Sequence, residues 1–178
     1  MKIETERLLL EPFELGHLNG LHAMDSDPDV MRFLGPLKTM KETEAAITRV
    51  AERWKQLGYA WWALVEKKSS AIVGAACVQN TANVPEAPLE IGWRLATAEQ
   101  GKGYATEAGQ AAMDFAFDHL GAEYVIAVAD QENTSSHKVM QRLGMTYRGI
   151  EPHYDAQLTT YVRYRNAAGK ATGVSQDN

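Results

Sequence analysis

The chain has 178 residues, 45% of them apolar and 23% charged, a composition that suits one globular core and excludes a collagenous, elastic or wholly disordered chain. Its 18 Lys and Arg stand against 23 Asp and Glu, a net charge of −5, which argues against broad binding to nucleic acid or an anionic membrane. A local anion site stays open.

Arg7 to Leu10 is short and apolar with Pro12 at its exit, which predicts a strand of edge or bulge character. Leu15, Leu18, Leu21, His22 and Met24 recur at helical spacing. Asp27-Pro28 reads as a cap with Pro in the first helical position, opening a short helix over Val30, Met31 and Leu34 that Gly35-Pro36 ends. Thr39 to Leu57 predicts a long helix with Thr39 or Thr43 as cap, acids early, bases late, and a stripe through Ala46, Ile47, Val50, Trp54 and Leu57. Gly58 is its stop. Tyr59–Glu66 and Ile72–Gln79 form a predicted hairpin around Lys67-Lys68-Ser69-Ser70. Its adjacent Trp61 and Trp62 must face opposite sides, one for the core and one free to wall a cleft. Asn80 to Pro88 is a polar loop.

Leu89, Ile91, Trp93 and Leu95 alternate with Glu90, Gly92 and Arg94, so Glu90 and Arg94 share one face of a strand. Gly92 predicts a bulge or a close backbone approach. The Gly-bearing turn Gln100 to Gly103 leads into a helix from Tyr104 to Leu120, faced by Ala108, Ala112, Phe115 and Ala116 and closed by Gly121. Tyr124–Ala129 is a continuous apolar run, as in a strand covered on both faces. Asn133 caps a helix to Leu143 that Gly144 stops. Met145–Ile150 and Gln157–Tyr164 are two further strands, and from Asn166 the tail has no apolar period and is expected to be disordered. This order predicts an α+β fold: one domain over 1–165 and a tail over 166–178, with a mixed, mostly antiparallel sheet of about seven strands flanked by helices and containing one crossover.

Cys77 has no partner for a disulfide and sits in an apolar run, as a buried packing thiol in a reducing compartment would. Met1 to Arg7 carries both charges with no signal-like apolar stretch behind it, and no run reaches about 18 apolar residues. The expected location is the cytoplasm, without a membrane. The histidines 17, 22, 119, 137 and 153 show no ligand spacing, so no metal site is expected.

The most informative segment runs from Glu99 through Gln100-Gly101-Lys102-Gly103-Tyr104-Ala105-Thr106 to Ala108. Two glycines allow a tight fold, and the free N–H groups of the following helix suit a pyrophosphate. A Walker loop would need Ser or Thr after Lys102, and a dinucleotide fingerprint a third Gly at Thr106; both fit poorly.

These residues resemble the GCN5-related N-acetyltransferase (GNAT) family, and within it the group of the ribosomal-protein N-terminal acetyltransferases. The family's loop, Gln/Arg-x-x-Gly-x-Gly/Ala, matches Gln100-x-x-Gly103-x-Ala105. Thr5-Glu6-Arg7-Leu8, Leu89-Glu90-Ile91-Gly92-Trp93, Asn133-x-x-Ser136 and Arg142-Leu143-Gly144-Met145 follow in the family's order, and the resemblance spans Thr5 to about Arg165. It implies acetyl-CoA as donor, held by the loop from Gln100 to Thr106, by Asn133 and Ser136, and by the strand edge at Trp93 and Leu95. Pantetheine would lie between the Leu89–Leu95 and Tyr124–Ala129 strands as they splay. The Trp93 N–H would meet the oxyanion, Ser136 would hydrogen-bond the leaving thiolate, and Glu90 would act as base or as a substrate-recognising carboxylate. Tyr154 and Tyr161, read as strand residues, are alternative proton donors. Glu11 and Gln100 stand where relatives often carry Arg, and Lys102 is placed to restore the charge.

The implied acceptor is a primary amine, a protein N-terminal α-amine or a small amine. A lysine amine costs about 3 kcal/mol more to deprotonate than an α-amine. A non-catalytic acyl-CoA sensor is the alternative function, and the reading leaves a homodimer open.

Overall fold

A computed structural model describes residues 1–165, so the tail expected to be disordered lies outside the described residues. The strands are β1 (Ile3–Glu4), β2 (Leu8–Pro12), β3 (Trp61–Glu66), β4 (Ile72–Asn80), β5 (Leu89–Leu95), β6 (Tyr124–Ala129), β7 (Thr146–His153) and β8 (Ala156–Tyr164). They form one sheet in the order β1-β2-β3-β4-β5-β6-β8-β7. Among the described residues only β5 and β6 pair in parallel, and the helix between them makes the expected crossover. The strand beyond the seven expected is the two-residue β1.

The helices are α1 (Leu18–Asp25), α2 (Pro28–Met31), α3 (Met40–Leu57), α4 (Tyr104–Asp118) and α5 (Thr134–Arg142). Thr39 caps α3 in a reciprocal box with Glu42, and Gly58 ends it in a left-handed conformation with φ 77°. Thr43, the other candidate cap, is buried and donates to Asp25. The second helix stops at Met31, short of Leu34, which is exposed.

Each strand sends alternate residues to two different layers. On one face Trp62, Val78, Ile91 and Leu95 pack with Ala108, Ala112, Phe115 and Ala116 of α4 and with Val139, Met140 and Leu143 of α5. On the other, Ala63 and Ala75 pack with Phe13, Leu21, Met24, Val30 and Ile47, and Trp61 joins them at the edge. The Trp pair therefore divides as alternation requires. Trp62 meets Phe115 edge-on at 5.2 Å in the α4 layer, and Trp61 lies with Phe13 at 6.4 Å on the α1–α3 side. Small residues let α4 lie close to the sheet: a Cβ on Gly109 would stand 2.9 Å from Leu143 and 3.3 Å from the Trp93 ring.

Two local expectations need correction. β4 and β5 pair without a break from Gly74↔Leu95 to Asn80↔Leu89, so Gly92 makes no bulge against β4. A Cβ there would lie 3.1 Å from the Cys77 sulfur and 3.9 Å from the Trp61 ring, so glycine answers side-chain crowding. A register shift occurs instead between Tyr147 and Gly149 of β7. Strand β7 also runs on to His153, and Tyr154 and Asp155 form the hairpin turn, both with positive φ, 52° and 59°.

Candidate active site

The site begins where β5 and β6 part. Their parallel register is confined to Glu90↔Ile126, while β5 continues to Leu95 and β6 to Ala129. Thr81 N–H donates to Pro88 O and Ala96 N–H to Val73 O, both at 3.0 Å, at the two ends of the β4–β5 ladder. By the alternation of an antiparallel pair, Glu90, Gly92 and Arg94 turn their backbone groups to β4. Trp93 and Leu95 turn theirs the other way, into the widening gap. The outward Trp93 N–H thus needs no bulge.

At the same end of the sheet, the chain leaving β5 enters α4 through Gly101 and Gly103, with φ 76° and 89°. Among the described residues no side chain caps α4, so its first N–H groups and macrodipole are open to an anion. Nothing lies within 4 Å of a Cβ built on Gly101, whereas one on Gly103 would meet Arg7 at 3.3 Å. The residues therefore fit a pyrophosphate-bearing donor. Tyr104 has only its backbone free for such a donor: its ring is buried and its hydroxyl donates to Glu66. Lys102 is tied to Glu99 at 2.9 Å, so it does not stand as the lone replacement charge expected of it.

Sequence reasoning missed what braces this cradle. Glu107, in the first turn of α4, accepts from Thr5 Oγ1 at 2.6 Å, from Arg7 N–H at 2.8 Å and from Arg7 Nε at 2.7 Å. Burial pushes the Glu107 carboxyl up, but these donors outweigh it and hold it below the usual range. Arg7 also donates through Nη1 to the Lys102 carbonyl at 2.8 Å and lies 4.6 Å over the Tyr104 ring. The Thr5-x-Arg7 pattern was visible; its partner 100 residues away carried no local signal.

On the opposite face lie Glu90 and Arg94, as alternation predicted. Glu90 is 7% exposed and accepts a hydrogen bond from the Tyr154 hydroxyl at 2.6 Å. Burial raises its pKa to about 7 against the lowering effect of Tyr154. The Tyr154 hydroxyl is itself raised, by burial first and then by the charge of Glu90. Tyr154 belongs to the turn, which carries it to Glu90 across 64 residues. Tyr161 stays in β8, buried, with Gln141 donating to it at 3.4 Å.

Arg94 forms an ion pair with Asp25 of α1 at 2.6 Å, and Asp25 also takes Lys38 at 3.1 Å and Thr43 Oγ1 at 3.0 Å. Asp25 is 1% exposed and is surrounded by two cations and a hydroxyl, as a buried carboxylate requires, while its Oδ1 and the Arg94 Nε make no hydrogen bond among the described residues. Burial lowers the Arg94 guanidinium and Asp25 opposes that. Cys77 lies in the same layer; burial, then the neighbouring Glu90, raise its thiol, as expected of a packing residue.

Asn133 caps α5, where the chain leaves β6, by accepting from Ser136 N–H at 3.1 Å. The Ser136 hydroxyl has no hydrogen bond among the described residues and is half-buried. Among the described residues no group of three or more His, Cys, Asp or Glu could hold a metal ion, and no helix is long and apolar enough to cross a membrane.

A splayed parallel pair beneath an open helix N-terminus, with a buried carboxyl on the first strand, is the architecture of a coenzyme A-dependent acyltransferase. Residues 7–146 match the Acetyltransferase (GNAT) domain family, and the chain belongs to it. It is therefore an acetyltransferase with acetyl-CoA as its donor. The N-acetyltransferase YnaD of Bacillus subtilis is 28% identical over 150 residues, 84% of this chain and 85% of that protein. A GNAT-family acetyltransferase from Bacillus anthracis is 29% identical, with a TM-score of 0.75 over 91% of this chain and 96% of its own. The ribosomal-protein-S5-alanine acetyltransferase of Vibrio fischeri shares the fold at 16% identity, with a TM-score of 0.75 over 93% and 97% of the two chains.

Proposed function

We propose that the protein acetylates a primary amine, a protein N-terminal α-amine or a small amine, by direct attack on the donor. Acetyl-CoA supplies an activated acetyl carbon and a thiolate leaving group. An ammonium acceptor gives one proton to Glu90. Its neutral nitrogen then bonds to the acetyl carbon as the C–S bond breaks, the surplus proton on nitrogen passes to the departing sulfur, and Glu90 returns its proton to solvent. The products are an amide and a free thiol. The Trp93 N–H meets the charge that grows on the carbonyl oxygen, and the Ser136 hydroxyl donates to the sulfur as it leaves. The main chain from Gln100 to Thr106, with Asn133 holding the start of α5, binds the donor.

The single observation that carries this reading is the buried Glu90 carboxyl with a pKa of about 7, a value matched to proton transfer near neutral pH. Its match to the acceptor supports the class named. Moving a proton to Glu90 costs about 1 kcal/mol from an α-amine and about 5 kcal/mol from a lysine. The test is an acceptor screen read by thiol release, with peptides bearing free or blocked α-amines, polyamines, amino acids and aminoglycosides. Release with α-amines or small amines is expected. Activity confined to lysine side chains would overturn the acceptor class, and no release with any amine would favour a binding-only sensor.

A further inference from the structure

A hydrogen-bonded chain crosses the acceptor face. Trp61 Nε1–H donates to Gln79 Oε1 at 3.0 Å, Gln79 Nε2–H to the Tyr154 oxygen at 3.0 Å, and the Tyr154 hydroxyl to Glu90 Oε2 at 2.6 Å. Its direction is set at one end. An indole nitrogen can only donate, so Gln79 must turn its carbonyl to Trp61 and its amide N–H to the phenol. With its oxygen engaged as acceptor, the phenol gives its one proton to Glu90.

We propose that Trp61 and Gln79 are positioning residues that aim the Tyr154 proton at Glu90 and so hold that carboxyl in its proton-accepting form. The inference rests on the reading of Glu90 as the base. Neither touches a reacting atom; both act through Tyr154 on Glu90.

Two further features support the assignment. Trp61 packs with the Phe13 ring, 6.4 Å between centroids, and with the Arg94 guanidinium, 5.6 Å from its ring. Tyr154 occupies a turn position with φ 52°, where Asn or Gly would be less strained. An aromatic stands there in this chain, and that aromatic is what reaches Glu90. The other groups around Glu90 do not supply this effect. Cys77, facing it from β4, is held protonated by burial; Ile126, opposite on β6, is apolar; Arg94, on the same face of β5, is paired with Asp25.

The test is a carboxyl titration by carbon-13 NMR on glutamate-labelled protein, with the Glu90 resonance assigned by its loss in Glu90→Gln. The midpoint in the parent protein is expected at about 7. Tyr154→Phe removes the donated proton and should raise it by about one unit. Trp61→Phe keeps a ring against Phe13 but frees the Gln79 amide to reverse, and should raise it by about half a unit. The acidic limb of kcat should move with it, recovering at higher pH, whereas a structural defect lowers the rate equally at all pH values. An unmoved midpoint in both variants, or a shift in Tyr154→Phe alone, overturns the relay; Trp61→Phe decides the matter if the tyrosine variant does not fold. A failure of the base reading shows elsewhere, as an unchanged rate in Glu90→Gln at neutral pH.

Discussion

The two sides of the β5 strand solve their tasks with different parts of the chain. The side proposed for the donor is mostly backbone, with uncapped N–H groups of α4, two glycines in left-handed conformations and the outward edge of Trp93 and Leu95, and it adds the side chains of Asn133 and Ser136. The side proposed for the acceptor is made of hydrogen-bonded and ion-paired side chains, with Glu90 and Asp25 buried among Tyr154, Gln79, Trp61 and Arg94. Backbone groups present the same dipoles whatever residue carries them, so the side proposed for the donor should tolerate changes such as Gln100 that leave its conformation intact. The acceptor side depends on particular functional groups in particular protonation states. Single substitutions there should cost more, and should change with pH.

The largest effect expected is that of Glu90→Gln. Loss of a general base should lower kcat/KM by about 10²–10⁴-fold near neutral pH, less at alkaline pH, where the amine loses its proton unaided. The same substitution should stabilise the fold. Because the folded carboxyl titrates at about 7 rather than 4.5, the folded state holds more protons than the unfolded between those values, and stability is lost as pH rises through them. Above pH 7 the variant should gain up to about 3 kcal/mol over the parent, with no gain below pH 4.5. Parallel thermal melts and pH–rate profiles check both halves. A uniform loss of a few fold at every pH would make Glu90 a binding carboxylate and erase the contrast.

Ser136→Ala comes next. A hydrogen bond to a developing thiolate should be felt as a fall in kcat of about 10–100-fold with little change in acceptor KM. An unchanged kcat would remove Ser136 from the leaving-group role. On the donor side, Gly103→Val forces a β-branched residue to φ 89° with its Cβ 3.3 Å from Arg7. Calorimetry should show acetyl-CoA binding weakened by about 10–30-fold, and normal affinity in a folded variant would displace the cradle from this loop. The smallest effect belongs to Lys102→Ala. Its ammonium is half-exposed and already paired with Glu99, so binding should weaken by no more than about threefold, and less at high salt.

Legibility in the sequence follows the same division. The loop from Gln100 to Ala105 was readable because glycines, a helix start and their spacing are local and act through the backbone. The shared face of Glu90 and Arg94 was readable because a strand alternates with period two. The Gly92 bulge was misread because glycine marks crowding as well as bulges, and only the packing of Cys77 and Trp61 distinguishes the two. Tyr154 was read as a strand residue because the turn Tyr154-Asp155 contains neither Gly nor Asn, the usual marks of two positive φ angles.

By itself the sequence determined the succession of helices and strands and the glycine-bearing turn before α4, which rest on periodicities and contacts within a few residues, and its ordered motifs from Thr5 to Met145 carried the resemblance to the family. The tertiary structure decided which distant residues meet. It brought Thr5 and Arg7 to Glu107, Asp25 to Arg94, and Tyr154 to Glu90. It also decided the state of the carboxyl on β5, because a pKa is set by the water removed and the donors brought in from elsewhere in the fold, neither of which is written next to Glu90 in the chain.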